Sequence, residues 1–534
     1  MKITITAWLF ISCILTANAQ NVSLKGWHLT DQKQSGYYGI SLEQAYDFLT
    51  QKKLTSTPVI VAILDDGVDT SHEDLRKSLW TNPKEIPGNG IDDDGNGYID
   101  DIHGWNFLGN KDGRNVYANS SEWIRVYWRY KAKYEGVKVD TAQLDKGQKY
   151  EYAMWQKARS GVVGKGMKEE ELDNLRTYLA NAVLCDSILK PNFPRKEFTA
   201  KQLAAFQPVG KMEADVKAFF LDIFKQFTLP DLNNNFVIGE LQQYVKGEER
   251  RASGDKVPPE DNRKDVTGDD EKLVANRFYG NPDVSNSPLM HGSHLAGIIG
   301  ADRTNGIGMM GIADNVQIMV VRTSAEGDEY DKDIAMGIRY ATDNGAKVIN
   351  MSFGKSLSPD KKMIDDALRY ALSKDVLLVQ AAGNSKRDIN GFDNFPNPEY
   401  LLTDSIAPNW ITVGASDTGG RAADFSNYGK KLVNVFAPGV AIYSTIPGGN
   451  KYMSWDGTSM ASPVVSGLAA LLRSYFPTLH ATDIKQIIER SVTIPASETL
   501  QPGTQKKVQL NKLCSSGGVV NAANAVKLAF EYKK

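Results

Sequence analysis

The chain has 534 residues, 41% hydrophobic and 24% charged, with a formal net charge of -2. This is the composition of a globular protein able to bury a sizeable core. The near-zero charge excludes a broad electrostatic footprint for nucleic acid or an anionic membrane, so any partner must be recognised at a specific site.

Lys2, the apolar run Ile3 to Leu15 and then Ala17-Asn18-Ala19 read as an export signal cleaved after Ala19 (residues 1–19). The protein is therefore expected in the periplasm, at the cell surface or outside the cell. The run is too short to span a bilayer. Lipid anchoring at Cys13 is disfavoured, because Phe10 sits poorly at the start of a lipobox and the residues after Cys13 stay apolar. Only Cys185 and Cys514 remain after cleavage, too few for a disulfide scaffold, and their spacing leaves pairing open.

Residues 20–57 form a short extension in which Leu42 to Leu49 reads as one small helix. Val59 to Leu64 is a continuous β-branched run, the mark of a strand buried on both faces of a parallel sheet. It ends in Asp65-Asp66-Gly67, a carboxylate at the end of a strand where open α/β sheets place their sites. A plain strand-terminating turn accounts for these residue types equally well. Next, Asp92, Asp94 and Asn96, with Gly97 and then Asp100 and Asp101, match the first half of an EF-hand-like loop. His103 stands where the closing Glu would be. So many carboxylates in one loop repel each other without a cation, which predicts structural Ca2+.

Residues 110–280 change character. Trp123, Tyr127, Trp128, Tyr130 and Tyr134, then Tyr150, Tyr152 and Trp155, alternate with Lys and Arg, and Glu169 to Leu175 and Val216 to Phe224 have helical periodicity. The pattern predicts a mostly helical insertion, with aromatics as core and basic side chains as cover rather than a base-stacking platform. Asp231, Asn233 and Asn235 offer oxygen donors but lack the expected glycine.

His291-Gly292-Ser293-His294 opens a small-residue helix and uses two of the six histidines. Zinc on His291 and His294 would need a third ligand that no neighbouring motif supplies. Val316 to Val321, Val348 to Met351 and Val376 to Val379 then read as buried strands, with helices at Ile334 to Asn344 and Lys362 to Lys374. This alternation predicts an α/β fold, a doubly wound, mostly parallel sheet with helices on both faces. Ser352-Phe353-Gly354 after one strand can offer an extended edge to peptide backbone. Ala382-Gly383-Asn384 after another puts an amide at a tight turn, suited to an oxyanion. Gly457 to Pro463 sets Ser459 among small residues where the apolar run Val464 to Leu472 begins, so a helix N-terminus faces whatever Ser459 attacks.

The order Asp65, His291, Ser459 is that of one known type of catalytic triad. The blocks Asp65-Asp66-Gly67, His291 to Gly297, Ala382-Gly383-Asn384 and Gly457 to Pro463 resemble the four signature blocks of subtilisin-like serine peptidases, and the resemblance spans residues 56–109 and 280–530. It implies a serine endopeptidase with Ser459 as nucleophile, His291 as general base, Asp65 as its orienting acid and Asn384 as oxyanion donor. It also implies that Ser352, Phe353, Gly354, Ala382 and Gly383 bind a protein or peptide substrate, and that Asp74 and Asn305 form a second calcium site. The chain is expected to be a monomer without an integral membrane span, built as a catalytic domain in two parts (58–109 and 281–534) around the insertion. Asp66 stands where the family usually has Ser or Thr, and Lys355 where Gly is frequent. Residues 20–57 are too few for a folded propeptide, and the insertion is expected to sit at the cleft rim. The competing reading is a silent peptide-binding protein on the same fold.

Overall fold

The computed structural model describes residues 24–227, 232–285, 291–391 and 393–532. The leader segment with Cys13, and Asp231, lie outside the described residues.

The apolar run after Thr57 forms β1 (Val59–Asp65), and with β2 (Gly104–Asn106), β3 (Val316–Arg322), β4 (Val348–Met351), β5 (Leu377–Ala381), β6 (Trp410–Ser416) and β7 (Val435–Pro438) builds a seven-stranded sheet ordered β2-β3-β1-β4-β5-β6-β7. Every pairing in it is parallel. The chain leaves β1 for the β2 edge, returns through β3 and crosses β1 to wind the other way from β4. The carboxyl end of β1 is therefore the switch point, where a doubly wound sheet opens a crevice.

Alternate residues of β1 feed opposite faces, as a strand requires. Val61 and Ile63 share one core with Leu295 and Ile298, and with Leu468 and Leu472. Ala62 and Leu64 share the other with Ile334 and Leu368 of the helices Asp331–Asp343 and Lys361–Ser373. Five further helices concern the site and its support: α1 (Leu42–Gln51), α2 (Glu122–Tyr134), α3 (His291–Gly300), α4 (Thr458–Tyr475) and α5 (Ala522–Tyr532).

The N-terminal segment is part of this core. Trp27, Ile40, Leu42, Ala45 and Leu49 are buried in the same cluster as β1 and α4. Trp27 Nε1 donates to the Val440 carbonyl at 2.9 Å, and Phe48 of α1 meets Phe530 of α5 edge-on at 5.7 Å. In the closing segment Gly517 to Asn521 forms no regular strand. Val519 makes single bridges to Phe436 and Thr493 before α5 begins.

Among the described residues, those within 162–257 form a compact unit of their own, while those within 24–161 and 258–532 form another. The first packs Glu169–Leu189 against Lys211–Phe224 and Asn234–Ser253, around Phe198, Phe220 and Phe224. The stretch read as one insertion is thus divided: α2 and residues 258–280 pack within the larger unit. Tyr127, Tyr130 and Tyr134 of α2 are buried, and Lys131 lies 3.9 Å over the Trp128 ring. Cys185 and Cys514 are both free and buried. Among the described residues no helix is long and apolar enough to cross a membrane.

Candidate active site

Asp65 closes β1 at the switch point and His291 opens α3. The Asp65 Oδ1 atom accepts a 2.8 Å hydrogen bond from His291 Nδ1, and a second, of 2.9 Å, from the Asp66 backbone N–H. Asp65 is 3% exposed, and its Oδ2 has no partner among the described residues. Burial alone would push the His291 imidazolium down, but the Asp65 charge and hydrogen bond, then Asp66 and Glu329, outweigh it and hold the pKa raised to about 9. The second histidine differs. His294 Nε2 meets the Met453 carbonyl at 3.0 Å, its ring stacks on Trp455 at 4.8 Å, and burial pushes its pKa down to about 3. His291 and His294 thus point to different partners, one a carboxylate and the other a carbonyl of β8 (Lys451–Trp455).

Gly292 explains how α3 approaches β1 so closely. A Cβ there would lie 2.1 Å from the Gly67 carbonyl oxygen, so only glycine lets the first turn of α3 lie against the turn after β1.

Ser459 is in the first turn of α4, whose Pro463 has no N–H to give the Ser459 carbonyl. Ser352 Oγ donates to that carbonyl instead, at 3.0 Å, while Ser459 Oγ donates back to the Ser352 carbonyl at 3.0 Å. Asn350 at the end of β4 completes the anchor. Its Nδ2 donates to Ser352 Oγ at 3.0 Å, and its Oδ1 accepts from Ser462 and Ser466 of α4, each at 2.9 Å. No hydrogen bond joins Ser459 Oγ to His291 among the described residues, which is common in sites without substrate.

Asn384 follows β5. Its Oδ1 accepts from the Thr458 N–H at 2.9 Å and the Thr458 hydroxyl at 2.8 Å, and that hydroxyl accepts from Gly383 N at 3.0 Å. With its oxygen so held, the amide orientation is fixed. Asn384 Nδ2 and Ser459 N lie 3.6 and 3.5 Å from where a Gly457 Cβ would stand, so both donors border one small space.

Ser352, Phe353 and Gly354 follow β4, and Ala382 and Gly383 follow the neighbouring β5. Asn427 fixes the second segment by donating to the Ala382 carbonyl at 2.9 Å. Asn394 Oδ1 would be 3.1 Å from a Cβ at Gly354, tying this edge to the 393–395 loop. Lys355 is buried. Its ammonium is fully buried and bound to Asp331 at 2.8 Å and to Glu122 of α2.

In the acidic loop, carboxylate oxygens of Glu85, Asp92 and Asp94 lie within 4.8 Å of one another. Asn96 stays adjacent, its N–H donating to Asp92 Oδ1 at 3.1 Å and Asp94 Oδ1 at 3.0 Å. Asp100 is directed elsewhere, accepting from the backbone of Gly88, Asn89 and Gly90. His103 Nδ1 meets the Trp80 carbonyl at 2.8 Å. Glu85 was missed by the loop motif because it lies upstream of it, and Pro83-Lys84-Glu85 carries no spacing that marks a ligand. Asp74 and Asn305 are brought together by a 2.8 Å hydrogen bond from Asn305 Nδ2, and Met309 N donates to the other Asp74 oxygen at 3.1 Å.

Residues 56–517 match the profile of the subtilase family. A thermophilic serine proteinase of Bacillus sp. (strain AK1) is 35% identical over 302 residues, 53% of this chain and 71% of the relative. Subtilisin DY of Bacillus licheniformis is 39% identical over 208 residues, 38% of this chain and 70% of its own. A solved structure of proteases from Pseudoalteromonas arctica covers 95% of this chain and 99% of its own, at 19% identity and a TM-score of 0.45.

Proposed function

This chain belongs to the subtilase family and is a serine-type endopeptidase, and from that premise we propose that Ser459, His291 and Asp65 carry the cleavage. The observation that carries the reading is the 2.8 Å bond from His291 to a buried carboxylate at the switch point. That bond fixes the imidazole tautomer and leaves Nε2 as the basic atom. Ser459 Oγ attacks the scissile carbonyl carbon as His291 Nε2 takes its proton. The oxyanion accepts hydrogen bonds from Asn384 Nδ2 and Ser459 N. When the intermediate collapses, the amine leaves with the proton from His291, and the acyl group remains on Ser459. Water, deprotonated by His291, then hydrolyses that ester and restores the hydroxyl. Ser352, Phe353, Gly354, Ala382 and Gly383 hold the substrate backbone in extended form.

Asn384→Leu tests the oxyanion role. Turnover is expected to fall ~10²–10³-fold with KM little changed, because the lost hydrogen bond belongs to the transition state. A proportionate rise in KM at unchanged kcat would instead make Asn384 a ground-state binder.

We further propose that calcium stiffens the loop around Glu85, Asp92 and Asp94, with Asn96 beside it, and that Asp74 and Asn305 hold a second ion. The clustered hard oxygen donors of Glu85, Asp92 and Asp94 fit this cation, which would neutralise carboxylates that otherwise repel. A calcium concentration of about 100 Kd adds roughly 2.7 kcal/mol to stability. Chelation should therefore lower Tm by about 2–3 °C, with recovery on adding Ca2+ and no recovery in Glu85→Gln. A Tm indifferent to chelator would contradict the assignment. The export reading rests on the leader pattern of residues 1–19, and the substrate on family membership: a protein or peptide, met by a monomer.

A further inference from the structure

We propose that Asp66 is a positioning residue of this reaction: its two carboxylate oxygens hold the first backbone N–H groups of α3 and so fix the histidine that Asp65 grips by its ring. The proposal rests on the reading of His291 as the base. Asp66 is 3% exposed. Its Oδ1 accepts from Gly292 N at 2.8 Å and its Oδ2 from His291 N at 3.2 Å. Asp65, the preceding residue, accepts from the His291 ring at 2.8 Å. Two consecutive carboxylates therefore hold one residue at both ends, backbone and imidazole.

The first N–H groups of a helix have no acceptor within it. Here a buried side chain from β1's end supplies one, so the origin of α3 is tied to the strand that carries Asp65. The contact is close on both sides, since a Cβ at Gly292 would lie 3.0 Å from Asp66 Oδ1. A serine or threonine hydroxyl in place of Asp66 would offer one oxygen where the carboxylate offers two, and would bring no charge.

The charge has its own effect. Asp66 faces Asp65 and His291, and Arg322 of β3; His291 also feels Glu329 from the segment after β3. Burial, then the Asp65 charge, raises the Asp66 carboxyl above the usual range. When ionised, Asp66 favours the imidazolium, so its loss lowers the pH at which His291 becomes a free base.

The test is Asp66→Asn and Asp66→Ser in the full chain, read as kcat and KM across pH on a peptide substrate, with Tm as a check of folding. Asn leaves one oxygen for two N–H groups and removes the charge. The expected result is a plateau kcat lower by about tenfold at nearly unchanged KM, and an acid limb of kcat/KM moved down by about one pH unit. Asp66→Ser keeps a small acceptor and gives the second reading should the Asn variant fail to fold. An acid limb and plateau like those of the parent in either folded variant would overturn the proposal. Ser459→Ala separates this failure from that of the underlying reading. Full activity in Ser459→Ala would overturn the triad and the Asp66 role together. An inactive Ser459→Ala beside unchanged Asp66 variants would overturn the Asp66 role alone.

Discussion

Ser459→Ala is expected to lower kcat by about 10⁶-fold while leaving KM and Tm nearly as they are. The size follows from the way nucleophile and base act as one unit: without the hydroxyl, neither the imidazole nor the oxyanion donors have a covalent step to assist. The side chain is cheap to lose structurally. Its hydroxyl makes one hydrogen bond, to the Ser352 carbonyl, in the first turn of α4, and such a bond contributes about 1 kcal/mol. The Ser459 carbonyl keeps its bond from Ser352 Oγ, which the substitution does not touch. A loss of activity accompanied by a collapse of Tm would point to the anchor among Asn350, Ser352 and α4 rather than to chemistry.

Asp65→Asn is expected to lower the kcat plateau by about 10⁴-fold. The carboxylate accepts from His291 Nδ1. An asparagine that turned its amide towards the ring would stabilise the tautomer with the proton on Nε2, the atom that has to receive one. The pH profile should change with it, in a direction fixed by sign. Asp65 holds the His291 pKa raised to about 9, so the parent kcat/KM should climb through alkaline pH as the imidazolium loses its proton. Without the charge the acid limb moves to lower pH, even as the plateau falls. The same linkage acts on stability: the protonated pair stabilises the fold fully below the unfolded histidine value near 6.5 and loses that contribution as pH rises through about 9. A variant with the parent's acid limb would show that another group titrates in the profile.

The sheet was legible because β1 is apolar on both faces, which only a central strand between two helix layers can afford to be. The chemistry was legible because four short blocks each put a reactive or donor residue at a strand end or helix start. The parts that escaped depend on contacts distant in sequence. Nothing near Pro463 announces that Ser352 supplies the hydrogen bond its ring removes, because the two residues meet only when β4 and α4 are packed. Asp100 reads as a ligand by spacing, yet it is drawn to three backbone N–H groups of the preceding turn, while Glu85 approaches the loop from outside its motif. The boundary of the insertion was obscured for a similar reason. Glu122 of α2 looks like a surface helix residue until Lys355, buried beside the cleft edge, is seen to need its charge.

The most direct measurement is the site of a covalent adduct. The mature protein in calcium would be treated with a fluorophosphonate and digested, and the modified peptide located by mass spectrometry. One adduct per chain is expected, on Ser459, formed faster as His291 loses its proton. A folded, calcium-loaded protein that stays unmodified, or is modified at a different serine, would contradict it.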